Sequence, residues 1–440
     1  MNLNSEGLNP MTSTKSLPLG SEERAAGNGL ISRRWLLRTG LPAVGALGLS
    51  SEMSRAEELR VPDWSSTPGL DLTSYGQPSP FENEVVRPTL PLFPEGIGDG
   101  SGVSFTPLEK LAGTITPNGL FFERHHSGIP EIAPEEHRLA IHGLVERPLV
   151  FTVEALLRYP MVTRTCFIEC AGNSLFNSMD EPQQRTAGEI HGLIGNAEWT
   201  GVSLAHLLNE AGVSPSAKWL VAEGGDAAKM SRSIPIEKVI DGDAFIALYQ
   251  NGERIRPEQG YPMRLVLPGW QGSMNVKWLR RIKVVSAPVH TKDETSKYTL
   301  LQKDGKSRQF TYEMGVKSVI TSPSPGREPG AQGLYQISGL AWSGAGRVTK
   351  VEVSADGGSS WAEALIPDQT PARALTRFQL PWVWQGQSAT LMSRATDETG
   401  AVQPTREAWY EPYAPNQLFH QNAIQAWAVS SSGGISNVYV

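Results

Sequence analysis

The chain has 440 residues and a formal net charge of −6, with 39% hydrophobic and 19% charged residues. That length exceeds one ordinary core, so two domains plus a tail are expected, and the acidic balance lacks the electrostatic footprint of a nucleic-acid binder. Two cysteines are too few for a disulfide framework, and neither a Cys-x-x-Cys-His haem attachment nor a four-ligand Cys/His zinc spacing occurs, so redox chemistry would need another cofactor.

In chain order, the first 30 residues are polar and rich in Ser, Gly and Asn, the composition of a disordered stretch. Arg33 and Arg34 then follow Ser32 and precede Leu36 and Leu37, a short apolar run from Leu41 to Leu49, and small residues at Ser54 and Ala56. The run is too short to span a bilayer. Residues 1–56 therefore resemble a disordered N-terminus with a twin-arginine export signal cleaved after Ala56, which implies a periplasmic protein that leaves the cytosol already folded. An amphipathic N-terminal helix or a basic arm is the competing reading.

Residues 57–110 are rich in Pro and Gly and read as an extended wrapping segment. Residues 111–315 mix periodicities. Strand-like alternation runs from Glu136 to Gly143, helical spacing marks Val153, Leu156 and Leu157, a helix around residues 203–211 stops at Gly212, and further strands lie near residues 218–226, 244–255, 263–270 and 276–287. This is an α+β domain. Residues 316–440 read as strands separated by short turns, including an Asp356-Gly357-Gly358 hairpin turn, and predict an all-β immunoglobulin-like sandwich packed by Trp342 and Trp361.

Both cysteines fall in TRTCFIECAGNSLF, residues 163–176. The segment alternates like a strand, which puts Cys166 and Cys170 on one face but about 13 Å apart, beyond the roughly 4.4–6.8 Å of a disulfide. Cys166 sits among bulky residues as a core thiol would, whereas Cys170 opens a small-residue turn where backbone and cofactor can approach closely. Two inert buried thiols fit the pattern as well.

Four segments in order carry a resemblance: FFERHH at 121–126, ECAGN at 169–173, EGGD at 223–226 and GYPMRLVLPGWQGSMNVKW at 260–278. They resemble motifs of the sulfite oxidase family of molybdopterin enzymes, and residues 339–364 resemble that family's immunoglobulin-like dimerisation domain. The resemblance implies a molybdenum-molybdopterin cofactor with Cys170 as the metal ligand and Cys166 structural. It implies cofactor contacts from Phe122, Glu123, Arg124, His125, His126, Cys170, Asp226, Gln259, Arg264, Asn275, Val276 and Lys277, with Arg264 and Lys277 on the phosphate as fork and point charge. Arg124, Cys170 and Tyr298 are the implied catalytic residues.

The chain also departs from the sulfite-oxidising pattern. Leu175 stands where a substrate-binding arginine is expected, His420 falls near the position of another, and Gln259 replaces a histidine. Loss of positive charge weakens attraction for a free dianion. This reduced set resembles the family's sulfane-oxidising branch from bacterial thiosulfate oxidation. The implied substrate is sulfane (persulfide) sulfur on a cysteine of a carrier protein, oxidised with oxygen from water. The implied electron acceptor is a separate c-type cytochrome subunit in an α2β2 heterotetramer built on a homodimer. Periplasmic oxidation of free sulfite is the alternative.

Overall fold

The computed structural model describes residues 24–32, 61–91, 100–240, 243–369, 371–414 and 417–440. Most of the twin-arginine segment, residues 33–56, lies outside them.

The first domain is built mainly of strands, with few and short helices. One sheet runs Glu253–Arg254, Phe245–Gln250, Ile194–Ser203, Met161–Glu169, with Arg264–Val266 pairing beside Phe245–Gln250. A second runs Leu149–Thr152, Arg138–Gly143, Leu279–Val285, Trp219–Gly224, Ser231–Pro235, and its Arg138–Gly143/Leu279–Val285 pair is parallel. The helix Leu204–Ala211 buries Leu204, Leu207, Leu208 and Ala211, the one-sided spacing of an amphipathic helix, and ends at Gly212 with φ +69°. These apolar faces meet in one core with Leu139, Ile141, Leu220 and Ile282.

The wrapping segment does more than wrap. Residues 61–86 are almost wholly exposed, but Thr89–Pro91 and Gly102–Ser104 form a three-stranded sheet with Glu123–His125. Val103 and Phe105 are buried in the aromatic cluster beneath that sheet.

The second domain is β-rich: a three-stranded sheet, Lys317–Ser322, Gly333–Trp342 and Thr376–Trp384, faces a five-stranded one that includes Val348–Ser354, Ala389–Asp397 and Ala426–Val429. Trp342, Trp382 and Trp427 are fully buried between them. Trp361, expected in that packing, is only half-buried and lies under the Arg394 guanidinium, 4.3 Å from its carbon.

Strand Met161–Glu169 joins the domains. Its last four residues are all buried although side chains alternate, because Phe167 faces the core of the second domain while Cys166 and Ile168 face the aromatic cluster of the first. At the strand end the Glu169 carboxylate accepts hydrogen bonds from Trp342 Nε1 at 2.7 Å and Asn173 Nδ2 at 2.8 Å, and lies 3.8 Å from Lys317 Nζ. Lys317 also donates to Gln421 O at 2.8 Å and to Ser174 Oγ. Ser174 in turn donates to His191 Nδ1 at 2.7 Å, which leaves His191 Nε2–H to donate to Gln425 Oε1 at 2.9 Å. Only a neutral His191 satisfies this chain.

Breaking a buried ion pair from one side costs about 3–5 kcal/mol. Lys317→Met should lower stability by that order in chemical denaturation, and adding Glu169→Gln should recover most of it. Burial holds His191 well below its ordinary value of 6.5. Its contribution is therefore full above that value and is lost as pH falls below it. Denaturation midpoints should drop from pH 7 to pH 5, with a shallower slope in His191→Gln.

Candidate active site

A cavity opens beside Cys170, walled by the strand Glu123–His125, by Ile168 and Arg264 of the first sheet and by the loops that carry Asp226, Gln259 and residues 272–278. Its wall gathers Phe122, Arg124, His125, His126, Cys170, Asp226, Gln259, Arg264, Asn275, Val276, Lys277 and Tyr298 from sequence-distant segments. Of the residues expected from sequence, Glu123 does not line it. Its carboxylate pairs with Arg87 and with His125 Nε2 at 2.8 Å, outside the wall. Burial works against that charge, but the His125 bond and Arg87 outweigh it and hold the carboxyl below its ordinary range.

Cys166 and Cys170 are both free thiols. Cys166 ends buried, with its thiol pushed up to about 12 by burial, whereas Cys170 follows the strand end and faces the cavity. Burial also raises the Cys170 thiol, opposed by Arg124 and by the Gly172 N–H, two features that favour the thiolate.

The cationic floor has an unusual balance. Arg264 donates through Nη1 to Gln259 O at 2.9 Å and through Nη2 to Asn275 O at 3.0 Å, while its Nε is buried without a partner among the described residues. Lys277 donates to Arg124 O at 3.2 Å, Glu258 O at 3.0 Å and His125 Nδ1 at 3.0 Å. Burial, then the neighbouring Arg264, pushes the Lys277 ammonium down to about 7. Among the described residues neither cation has a carboxylate within ion-pair distance. Two sequestered cations without a counterion, one with an orphaned N–H, fit a ligand that brings its own negative charge.

Asp226 accepts from Ser127 Oγ at 3.2 Å and from Lys229 N at 3.2 Å. Asn275 is consumed structurally, its amide bonding Trp270 O, Gln271 O and Leu267 N. Gln259 Nε2 donates to Phe122 O at 2.8 Å, tying the 121–126 loop to the floor.

Next to Lys277, Arg124 Nη2 donates to His126 Nδ1 at 3.2 Å, so His126 Nε2–H donates to Tyr298 Oη at 3.2 Å and the phenol hydrogen stays available. Burial, then Arg124, pushes His126 down to about 3, and burial raises the Tyr298 phenol. Both are neutral at ordinary pH.

Arg232 was not expected. It is fully buried, donates through Nε to Glu294 at 3.0 Å and through Nη1 to Ser273 Oγ, and lies 4.8 Å from the centre of the Tyr298 ring. A lone arginine in the strand Ser231–Pro235 carries no motif. Ser273 and Trp278 also line the cavity, and both lie inside the 260–278 run.

Leu175 is not on the cavity wall; it packs against the aromatic cluster. His420 is not on the cavity wall either; its backbone N–H donates to Ala171 O in the loop after Cys170 at 2.8 Å, and burial, then Arg232, pushes its imidazole down to about 4.

Residues 126–292 match the oxidoreductase molybdopterin-binding domain and residues 308–427 the Mo-co oxidoreductase dimerisation domain. The chain is 32% identical over 324 residues to sulfite oxidase of Gallus gallus, covering 68% of this chain and 70% of that protein. It is 32% identical over 349 residues to an NADH nitrate reductase of Cichorium intybus, covering 69% of this chain but 37% of that protein. The structure matches that of the sulfane dehydrogenase SoxCD from Paracoccus pantotrophus with a TM-score of 0.83 and 47% sequence identity, over 86% of this chain and 97% of that one. The cavity, its unpaired cations and these similarities agree: the chain belongs to the sulfite oxidase family of molybdopterin oxidoreductases and uses a molybdenum-molybdopterin cofactor.

Proposed function

We propose that this protein oxidises sulfane (persulfide) sulfur held on a cysteine of a carrier protein and passes the electrons to a c-type cytochrome. The 47% identity to the sulfane dehydrogenase across nearly all of that chain is the observation that carries the reading. The neutral His420 beside the loop after Cys170, at a position expected to be arginine, agrees with a substrate less charged than sulfite. Retained Arg124 favours the second reading, a periplasmic sulfite dehydrogenase acting on free sulfite.

The cofactor, when bound, supplies two-electron oxygen-atom chemistry with water as the oxygen source. Cys170 is its metal ligand, a soft thiolate suited to molybdenum. Arg264 and Lys277 neutralise its phosphate, and Asp226 with the 121–126 loop meets its polar rings. His126 holds the Tyr298 ring by its oxygen, and burial, helped by Arg124, holds His126 neutral. Tyr298 is then a fixed hydrogen-bond donor facing the substrate, with Arg124 as the local positive charge. The second domain is an immunoglobulin-like sandwich that pairs two copies, each bound to a cytochrome subunit in an α2β2 assembly. The paired arginines Arg33 and Arg34 send the folded protein to the periplasm.

Purified holoenzyme with its cytochrome partner should reduce that cytochrome with a persulfidated carrier protein as donor. Rapid turnover of free sulfite, with none on the carrier, would overturn the reading in favour of the second. Losing hydrogen bonds to a charged group costs about 1.5–3 kcal/mol. Arg264→Met should therefore retain cofactor roughly ten- to a hundred-fold less tightly, read as molybdenum and pterin content after dialysis, while Arg124→Met should keep the cofactor and lose turnover.

A further inference from the structure

Residues 24–32 belong to the stretch that composition assigns to disorder, yet they lie on the second domain. Leu30 and Ile31 are fully buried there, and Leu30 joins the tryptophan core. The segment extends the free edge of strand Thr376–Trp384. Leu30 pairs antiparallel with Trp382, Val383 N donates to Gly29 O at 2.9 Å, and Ile31 N donates to Pro381 O at 3.2 Å. A proline at 381 suits such an edge because it has no N–H to satisfy. Earlier along the same edge Leu365 pairs with Gln379, so the docked segment occupies only the stretch that Leu365 leaves open.

Recognition goes beyond backbone pairing. Asn28 Nδ2 donates to Ala355 O at 2.8 Å and Ser388 O at 3.1 Å, while Asn28 O accepts from Trp382 Nε1 at 2.9 Å. Gly27 N donates to Ser360 Oγ at 2.8 Å. Gly29 tolerates no side chain: its φ is +93° and a Cβ there would lie 2.1 Å from Val383 O, while a Cβ on Gly27 would have to displace the Asp356 carboxylate, 2.4 Å away. Each position of Gly-Asn-Gly-Leu-Ile is therefore read by a different feature of the folded domain.

We infer that this sheet edge is a peptide-binding groove whose ligand is the chain's own residues 24–32, clamping the polypeptide immediately before Arg33 and Arg34. Such strand addition draws affinity from the backbone and specificity from side-chain pockets. The contacts come from residues 355–388, which only the folded domain brings together, so the clamp reports folding to the segment that follows. Arg33 is two residues from buried Ile31, and an extended chain covers at most about 3.6 Å per residue. A receptor or protease that needs extended chain on both sides of the arginine pair must first peel Leu30 and Ile31 from the groove. The docking stands without the export reading; only its consequence for export rests on that reading, which Arg33→Lys/Arg34→Lys tests separately.

Hydrogen exchange and limited trypsin digestion of the full chain test the clamp, with Gly29→Val and Asn28→Ala beside the wild type. In the wild type the amides of Gly27 and Ile31, and of Ala25, whose N–H donates to Leu30 O at 2.9 Å, should be protected, and in Gly29→Val they should exchange at least about 100-fold faster. Trypsin should cut after Arg33 and Arg34 at least about ten-fold faster in Gly29→Val, relative to cutting after Arg55, with Asn28→Ala between. The strand Gly333–Trp342 should keep its protection in every variant. Unprotected amides in the wild type, or equal cutting in all three chains, would overturn the proposal. Loss of protection along Gly333–Trp342 in the variants would also overturn it, since the segment would then be an inseparable part of the core.

Discussion

The Glu169 carboxylate sits where the two domains meet, at the end of the strand that carries Cys166 and leads into Cys170. It is almost wholly removed from solvent, and burial raises it toward the protonated form against the pull of Lys317. A carboxylate there is tolerable only because Trp342, Asn173 and Lys317 come to it from both domains. The next residue is Cys170. Whatever fixes Glu169 therefore fixes the origin of the loop that presents the thiol, and the second domain becomes part of the active-site scaffold as well as an interface.

The same reasoning runs in the opposite sense across the cavity. Glu169 has its counterion supplied by the protein, while Arg264 and Lys277 have no carboxylate within ion-pair distance among the described residues. Their backbone hydrogen bonds hold them in place without neutralising them. A floor built this way is incomplete as an apolar or neutral site and complete once an anionic cofactor lies on it. The neutral pair His126 and Tyr298, which also lines the cavity, adds donors without charge.

Much of this was legible in the sequence, and for a physical reason. Close approach to a cofactor demands small turns and particular donors in short contiguous runs, so Phe122, Arg124, Cys170, Asp226, Arg264 and Lys277 announce themselves locally and meet in one cavity. Arg232 does not, because its meaning lies in Glu294 and Tyr298, both more than sixty residues away. Glu123 sits inside a motif yet is taken up by Arg87 and His125, and Arg87 lies outside the motif. Trp361 and Trp382 look alike as sequence, and only the sheet order buries the second. Residues 24–32 are invisible to composition because their partners lie more than three hundred residues away.

The central claim is that Cys170, held by the Glu169 network, ligates molybdenum in this cavity. X-ray absorption at the molybdenum edge of the holoenzyme and of its Cys170→Ser variant tests it most directly. The account predicts one sulfur neighbour fewer around the metal in the variant. An identical sulfur shell in both proteins would contradict it.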